Sequence, residues 1–113
     1  MIELSVYKGD DKAWTIYFKD SDGDAIDLTG STLFFTVKTL KTDSDDDALI
    51  KKDITSHVDP TSGETLLTLT HTDTDIATAS YFFDFELVDS GGNVTTVVVG
   101  KFNVLQEVTV RTS

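Results

Sequence analysis

Apolar and polar residues alternate with a period of two along most of the chain, which predicts strands rather than helices. The densest stretch runs from Ser80 to Leu105 and predicts a long β-hairpin. In its first arm, Ser80 to Val88, Tyr81, Phe83, Phe85 and Leu87 share one face, with Asp84 and Glu86 on the other. Asp89-Ser90-Gly91-Gly92-Asn93 supplies the turn. The second arm, Val94 to Leu105, is rich in β-branched residues and places Thr96, Val98, Gly100, Phe102 and Val104 together. The core is expected to form against these two arms.

Upstream, Ile2 to Tyr7 alternates with Ile2, Leu4 and Val6 on one side. Lys12 to Lys19 places Trp14, Ile16 and Phe18 inward, and Ser31 to Lys38 does the same for Leu33, Phe35 and Val37. Ala48 to Val58 carries a weaker strand pattern, and Glu64 to Thr70 places Leu67 and Leu69 together. Turns are expected at Lys8-Gly9-Asp10-Asp11, at Asp20-Ser21-Asp22-Gly23-Asp24 and at Asp59-Pro60-Thr61-Ser62-Gly63. In the last of these Pro early and Gly late fit a type I turn closed by a left-handed glycine. Thr72 and Asp75 have capping-box spacing and predict one helical turn over residues 72–77. After Leu105 the alternation continues through Val108 and Val110.

These elements predict a single all-β domain over residues 1–113, an immunoglobulin-like β-sandwich of about seven antiparallel strands. Tyr81, just after a short corner and at the start of the penultimate strand, stands where such a fold places a corner tyrosine. Trp14 lies on the second strand, not the third, and no cysteine is present, so the antibody type of domain is excluded. Trp14 and Phe83 are expected to fill the inter-sheet volume.

Charge changes the picture in one respect. The net charge is −11, and sixteen of the twenty acids are Asp, most of them at expected turns. Asp favours turns because its carboxylate accepts nearby backbone N–H groups. Scattered lysines and an acidic surface argue against nucleic acid and against anionic membranes. No basic region followed by an apolar run marks a signal peptide at the N-terminus.

Candidate chemistry is sparse. Asp20, Asp22 and Asp24, with Asp27 nearby, imitate a calcium loop, but the EF-hand glycine position holds Ala25 and the terminal glutamate position holds Ser31. The loop also matches Asp89 to Asn93, which has a single carboxylate, so a turn without metal accounts for both. Asp43, Asp45, Asp46 and Asp47 read as a solvated loop. His57 and His71 have no third ligand at a recognisable spacing. Asp84 and Glu86, at i and i+2, read as a solvent face. No catalytic constellation and no cofactor site are found, and the chain is not expected to be an enzyme. The tail offers the one partner-binding expectation: Gln106, Val108 and Val110 as an edge segment that pairs with another subunit by strand addition.

Taken in order, Lys8-Gly9-Asp10-Asp11, Lys19 through Thr32, Phe35-Thr36-Val37-Lys38, Asp45 through Lys52, Asp59 through Gly63 and Tyr81 through Leu87 form a pattern that covers nearly the whole chain. It resembles the small immunoglobulin-like domains of tailed-bacteriophage virions, most closely the N-terminal domain of the baseplate upper protein family. The resemblance implies a structural virion protein of the tail or baseplate, made in the bacterial host cytoplasm. Its expected partners are other virion proteins or copies of itself. The chain carries no helical stalk after the sandwich, which makes an accessory, adaptor or capsid decoration protein equally compatible. The rival class is a carbohydrate- or cell-surface-binding module, for which Tyr7, Tyr17, Phe34 and Phe82 are the candidate exposed aromatics.

Overall fold

The computed structural model describes residues 2–40 and 48–106. They form seven strands: β1 (Ile2–Tyr7), β2 (Lys12–Tyr17), β3 (Thr32–Lys38), β4 (Ile50–Ile54), β5 (Glu64–Leu69), β6 (Ala79–Val88) and β7 (Val94–Leu105). A short 3-10 helix, Pro60–Ser62, precedes β5. Five strands make one sheet in the order β1-β7-β6-β3-β4, and β2 pairs with β5 in a second, two-stranded sheet. The expected hairpin is the centre of the large sheet.

Alternation decides which side chains meet. Leu33, Phe35 and Val37 of β3, Tyr81, Phe83, Phe85 and Leu87 of β6, and Phe102 and Val104 of β7 are buried on one face of the large sheet. Leu67 and Leu69 of β5 and Phe18, just beyond β2, close onto them. Phe35 stands at the middle, with its ring centroid 4.9 Å from Phe85 and 5.6 Å from Phe83. Phe18 meets Phe85 edge-on at 5.2 Å, joining the two sheets. Edge-to-face contacts of this kind add to the apolar burial itself.

Three expectations are corrected. The sheet is mixed, because β1 runs parallel to β7, from Ile2 opposite Gly100 to Tyr7 opposite Leu105. Thr96 does not share the core face: a bulge between Phe85 and Glu86 places Val98 opposite Phe85 but Thr96 opposite Glu86, and the extra residue reverses the parity. Residues 72–77 form no helix. Trp14 and Phe83 do pack between the sheets as expected: Trp14 of β2 meets Phe102 edge-on at 6.3 Å, and Phe83 of β6 is buried against Phe35 and Phe85.

The last correction has a local cause. The reciprocal cap forms two residues earlier than the spacing predicted. The Thr70 amide and hydroxyl both donate to Asp73 Oδ2, at 2.9 and 3.1 Å, and the Asp73 amide donates back to Thr70 Oγ1. One i to i−4 bond follows, from the Thr74 amide to the Thr70 carbonyl, and the chain then leaves for β6. This turn is clamped to the turn between β1 and β2. Buried Thr74 donates its hydroxyl to the Asp10 carbonyl at 2.7 Å, and the His71 amide donates to Asp11 Oδ1 at 2.7 Å. That N–H holds the Asp11 carboxyl below its ordinary value.

Candidate partner-binding site

The acidic loop after β2 is built by one carboxylate. Asp20 Oδ1 accepts the amides of Asp22 and Asp24 at 2.9 and 3.0 Å. The Gly23 amide closes the turn onto the Asp20 carbonyl, and the Asp20 amide reaches the Asp24 carbonyl. The turn between β6 and β7 repeats every one of these bonds. Asp89 Oδ1 accepts the amides of Gly91 and Asn93 at 2.9 and 3.0 Å, Gly92 closes onto the Asp89 carbonyl, and Asp89 reaches Asn93. Gly23 and Gly92 even share φ = 84°. The Asn93 amide and side chain, then Gly91 and Gly92, hold the Asp89 carboxyl low. The carboxylates of Asp20, Asp22 and Asp24 approach within 4.8 Å of one another, all exposed. Their nearness follows from the turn, because the same geometry forms where the second and third positions are Gly91 and Asn93.

The other residues singled out in the sequence do not converge. Asp84 and Glu86 face outward from β6 and border different shallow depressions, of about 240 and 270 Å3. Tyr17 stands on the outer face of the small sheet, 59% exposed. Phe34 and Phe82 lie half-buried on the outer face of the large one, and Tyr7, 52% exposed, is at the end of β1. The four aromatics therefore make no common platform. His71 is a surface residue with Nδ1 3.2 Å from Asp11. The cluster Asp43 to Asp47 lies outside the described residues.

His57 is different. It has no strand of its own, yet its ring bridges two elements. Nε2 lies 2.8 Å from the Ser31 carbonyl and Nδ1 lies 2.9 Å from Thr65 Oγ1. A carbonyl accepts only, so Nε2 carries the proton and, in the neutral ring, Nδ1 accepts the Thr65 hydroxyl. Ser31 and Thr65 are both buried. The ring thus satisfies polar groups at the entrance to β3 and on the inner face of β5. The sequence puts this position at the edge of the weak strand pattern of Ala48 to Val58, beside polar residues, and the partners, 26 and 8 residues away, gave no local signal.

The sheets differ in width, and this creates the most distinctive surface. Among the described residues, a two-stranded sheet covers the middle of a five-stranded one and leaves both flanks open. On the β5 side an open, polar groove of about 310 Å3 runs past Lys52, Ile54, Ser56 and Leu66. On the β2 side a cleft of about 290 Å3 is almost wholly apolar, lined by Leu4, Trp14, Ile16, Phe83, Phe85 and Val98. Thr15 and Tyr17 complete its lip, so consecutive residues of β2 present their backbone edge to it. Among the described residues no strand pairs with that edge. The sequence missed this cleft because strand patterns do not say how many partners a strand will have.

Gln106 is exposed immediately after β7, and Val108 and Val110 lie outside the described residues. No protein-family model matches the chain, and no curated protein matches it.

Proposed function

We propose that the chain is a structural protein of a tailed-bacteriophage virion, an adaptor or accessory of the tail or baseplate that works through protein–protein contacts. The resemblance noted in the sequence is the ground for the phage assignment. The observation that carries the immunoglobulin-like part of the reading is the strand arrangement. A sheet ordered β1-β7-β6-β3-β4 beside a β2-β5 pair supports a two-sheet sandwich and is compatible with an immunoglobulin-like strand order. Tyr81 adds to it: its hydroxyl donates to the Ala77 carbonyl, four residues upstream at the corner that enters β6. Phe83, two residues further, occupies the position of the cysteine that follows a corner tyrosine in antibody domains.

A domain of this kind acts by shape. A packed aromatic core fixes the strands, and edges, turns and flanks are offered to neighbours. The apolar β2 cleft is the surface best suited to such a contact, since contiguous exposed apolar surface is characteristic of binding sites. Mass spectrometry of purified particles from the source that encodes the chain tests the assignment. Peptides of this chain are expected in amounts comparable to tail proteins. Their absence from intact particles overturns the reading.

A further inference from the structure

Of the sixteen aspartates in the chain, only Asp22 is followed by glycine. That pairing has a chemistry of its own. The amide nitrogen of the residue after an aspartate can close on the aspartate Cγ, and a side chain on that residue hinders the approach. Glycine has no Cβ to do so. The turn around Asp22 gives the reaction room. Residues 19–25 are all exposed. Gly23 sits at φ = 84°, and a Cβ placed on it would meet nothing within 4 Å. Asp20 holds the loop by accepting the amides of Asp22 and Asp24. The Asp22 carboxylate itself accepts no hydrogen bond among the described residues, so nothing ties it away from the peptide bond that follows it.

We propose that the Asp22–Gly23 peptide bond is a site of spontaneous covalent modification, at which Asp22 passes through a succinimide to isoaspartate while the chain stays folded. The Gly23 nitrogen attacks Asp22 Cγ in its protonated carboxyl form. A Cγ–N bond forms and a Cγ–O bond breaks. The departing hydroxyl takes the amide proton and leaves as water. Water then opens the five-membered ring at either of its carbonyls. Opening at Cγ restores aspartate. Opening at the backbone carbonyl leaves the chain running through Cβ and Cγ, with the former backbone carbonyl as a free carboxylate. One water is lost and one is regained, so the product has the mass of the parent and no other reactant is needed.

One bond must open first. The Gly23 amide donates to the Asp20 carbonyl at 3.0 Å, a contact at an exposed turn of the kind that opens at low free-energy cost. Isoaspartate does not restore the turn. It adds one carbon to the backbone between Asp20 and Asp24, whose amide-to-carbonyl bond of 2.8 Å closes the loop. The turn between β6 and β7 is the internal control. It makes the same bonds but has Gly91 where this one has Asp22, and so lacks the carboxyl that would close the ring. Asp20 and Asp89 precede serine, and each has a carboxylate oxygen occupied by two backbone amides. The two asparagines, Asn93 and Asn103, precede valine, whose branched side chain hinders the same attack.

This site is independent of the particle assignment. The full chain is held folded at neutral pH for several weeks and digested at mildly acidic pH, so that digestion itself adds no isoaspartate. Electron-transfer fragmentation then separates the two linkages. The peptide Asp20–Lys38, released by cleavage after lysine, is expected to contain three forms: the parent, a minor form one water lighter, and a growing form with the isoaspartyl linkage at position 22. Asp22→Gly, which copies the other turn, should lose the second and third forms. Gly23→Ala meets no neighbour and should slow their appearance several-fold. Absence of isoaspartate at position 22 overturns the proposal, and so does its equally early appearance at Asp20 or Asp89. Isoaspartate that forms at position 22 only in the urea-unfolded chain overturns the folded turn as the place of reaction.

Discussion

At the residue scale, two positions carry more of the fold than their surroundings suggest. Gly63 closes the 3-10 helix with φ = 71°, a left-handed conformation. A Cβ there would stand 2.5 Å from the Phe18 carbonyl oxygen and 2.9 Å from that of Ile26, both backbone atoms that cannot swing away. Gly92 has a similar φ but nothing within 4 Å. Gly92→Ala is therefore expected to cost only the conformational penalty, about 1–2 kcal/mol. Gly63→Ala adds a backbone clash and should be the more damaging by at least another ~2 kcal/mol, read from urea denaturation midpoints of the two variants. Equal losses would mean that the packing of Phe18 and Ile26 around Gly63 is looser than described. His57 makes a comparable demand. His57→Ala strands a buried hydroxyl on Thr65 and the Ser31 carbonyl, and is expected to destabilise by about 2–3 kcal/mol. The same denaturation experiment with Thr65→Val in the His57→Ala background should recover part of that loss, since the orphaned donor is then gone.

At the element scale, the turns and not the strands set the pH response. Asp11, Asp27, Asp73 and Asp89 all hold carboxyl groups below their ordinary value of 3.8. For Asp27 the cause is the Thr29 hydroxyl and amide. For Asp73 partial burial works the other way and is outweighed by Lys52, whose Nζ is 2.8 Å from Oδ2, together with the Thr70 amide and hydroxyl. A carboxyl with a lower value folded than unfolded binds fewer protons in the folded state. Its contribution is complete above the unfolded value, near pH 4, and disappears as pH falls through the folded value. Melting temperature should therefore hold from neutral pH to about pH 5 and drop steeply below pH 4. Asp73→Asn keeps an acceptor for Thr70 but loses the ion pair that ties β4 to the turn before β6. It is expected to cost about 1 kcal/mol at neutral pH and to flatten the acid limb of the profile. An identical limb in the variant would assign the acid sensitivity to the other turns.

The two Asp-Ser turns allow a direct exchange of parts. Asp22→Gly with Asp24→Asn converts the first into the second. If the loop is a turn and nothing more, stability at neutral pH should change by less than ~0.5 kcal/mol. Addition of calcium or of a chelator should leave the melting temperature of both forms unchanged. A calcium-dependent rise in the parent chain that disappears in the double variant would restore the cation reading, since a ligand at about 100 times its dissociation constant adds roughly 2.7 kcal/mol.

At the scale of the whole molecule, what was legible in the sequence was whatever is written locally. The inward sets of β3, β5 and β6, the turn glycines and the place of Tyr81 at the entry to β6 each follow from a few adjacent residues. What was not legible depends on distant partners. The parallel docking of β1 on β7 joins residues nearly a hundred apart, and the alternation of β1 is compatible with either direction. The bulge that displaces Thr96 is hidden in Val97-Val98-Val99, a run without alternation to mark the reversal. The open flank beside β2 exists only because one sheet is wider than the other.

Charge is also a whole-molecule property, and it yields the last prediction. A net charge of −11 on 113 residues opposes both the compact state and the approach of a second copy. At ~10 mM salt the screening length is about 30 Å, so acids throughout the domain repel one another; at ~0.5 M it falls to a few ångströms and only adjacent pairs matter. Among the described residues, the ion pairs that salt would weaken include Lys8 with Asp75 and Lys52 with Asp73, both partly exposed. Repulsion should win, so the melting temperature at neutral pH is expected to rise with sodium chloride over this range. Thermal melts at low and high salt test this. A melting temperature that falls with salt would mean that the turn carboxylates and their lysine partners outweigh the excess of negative charge.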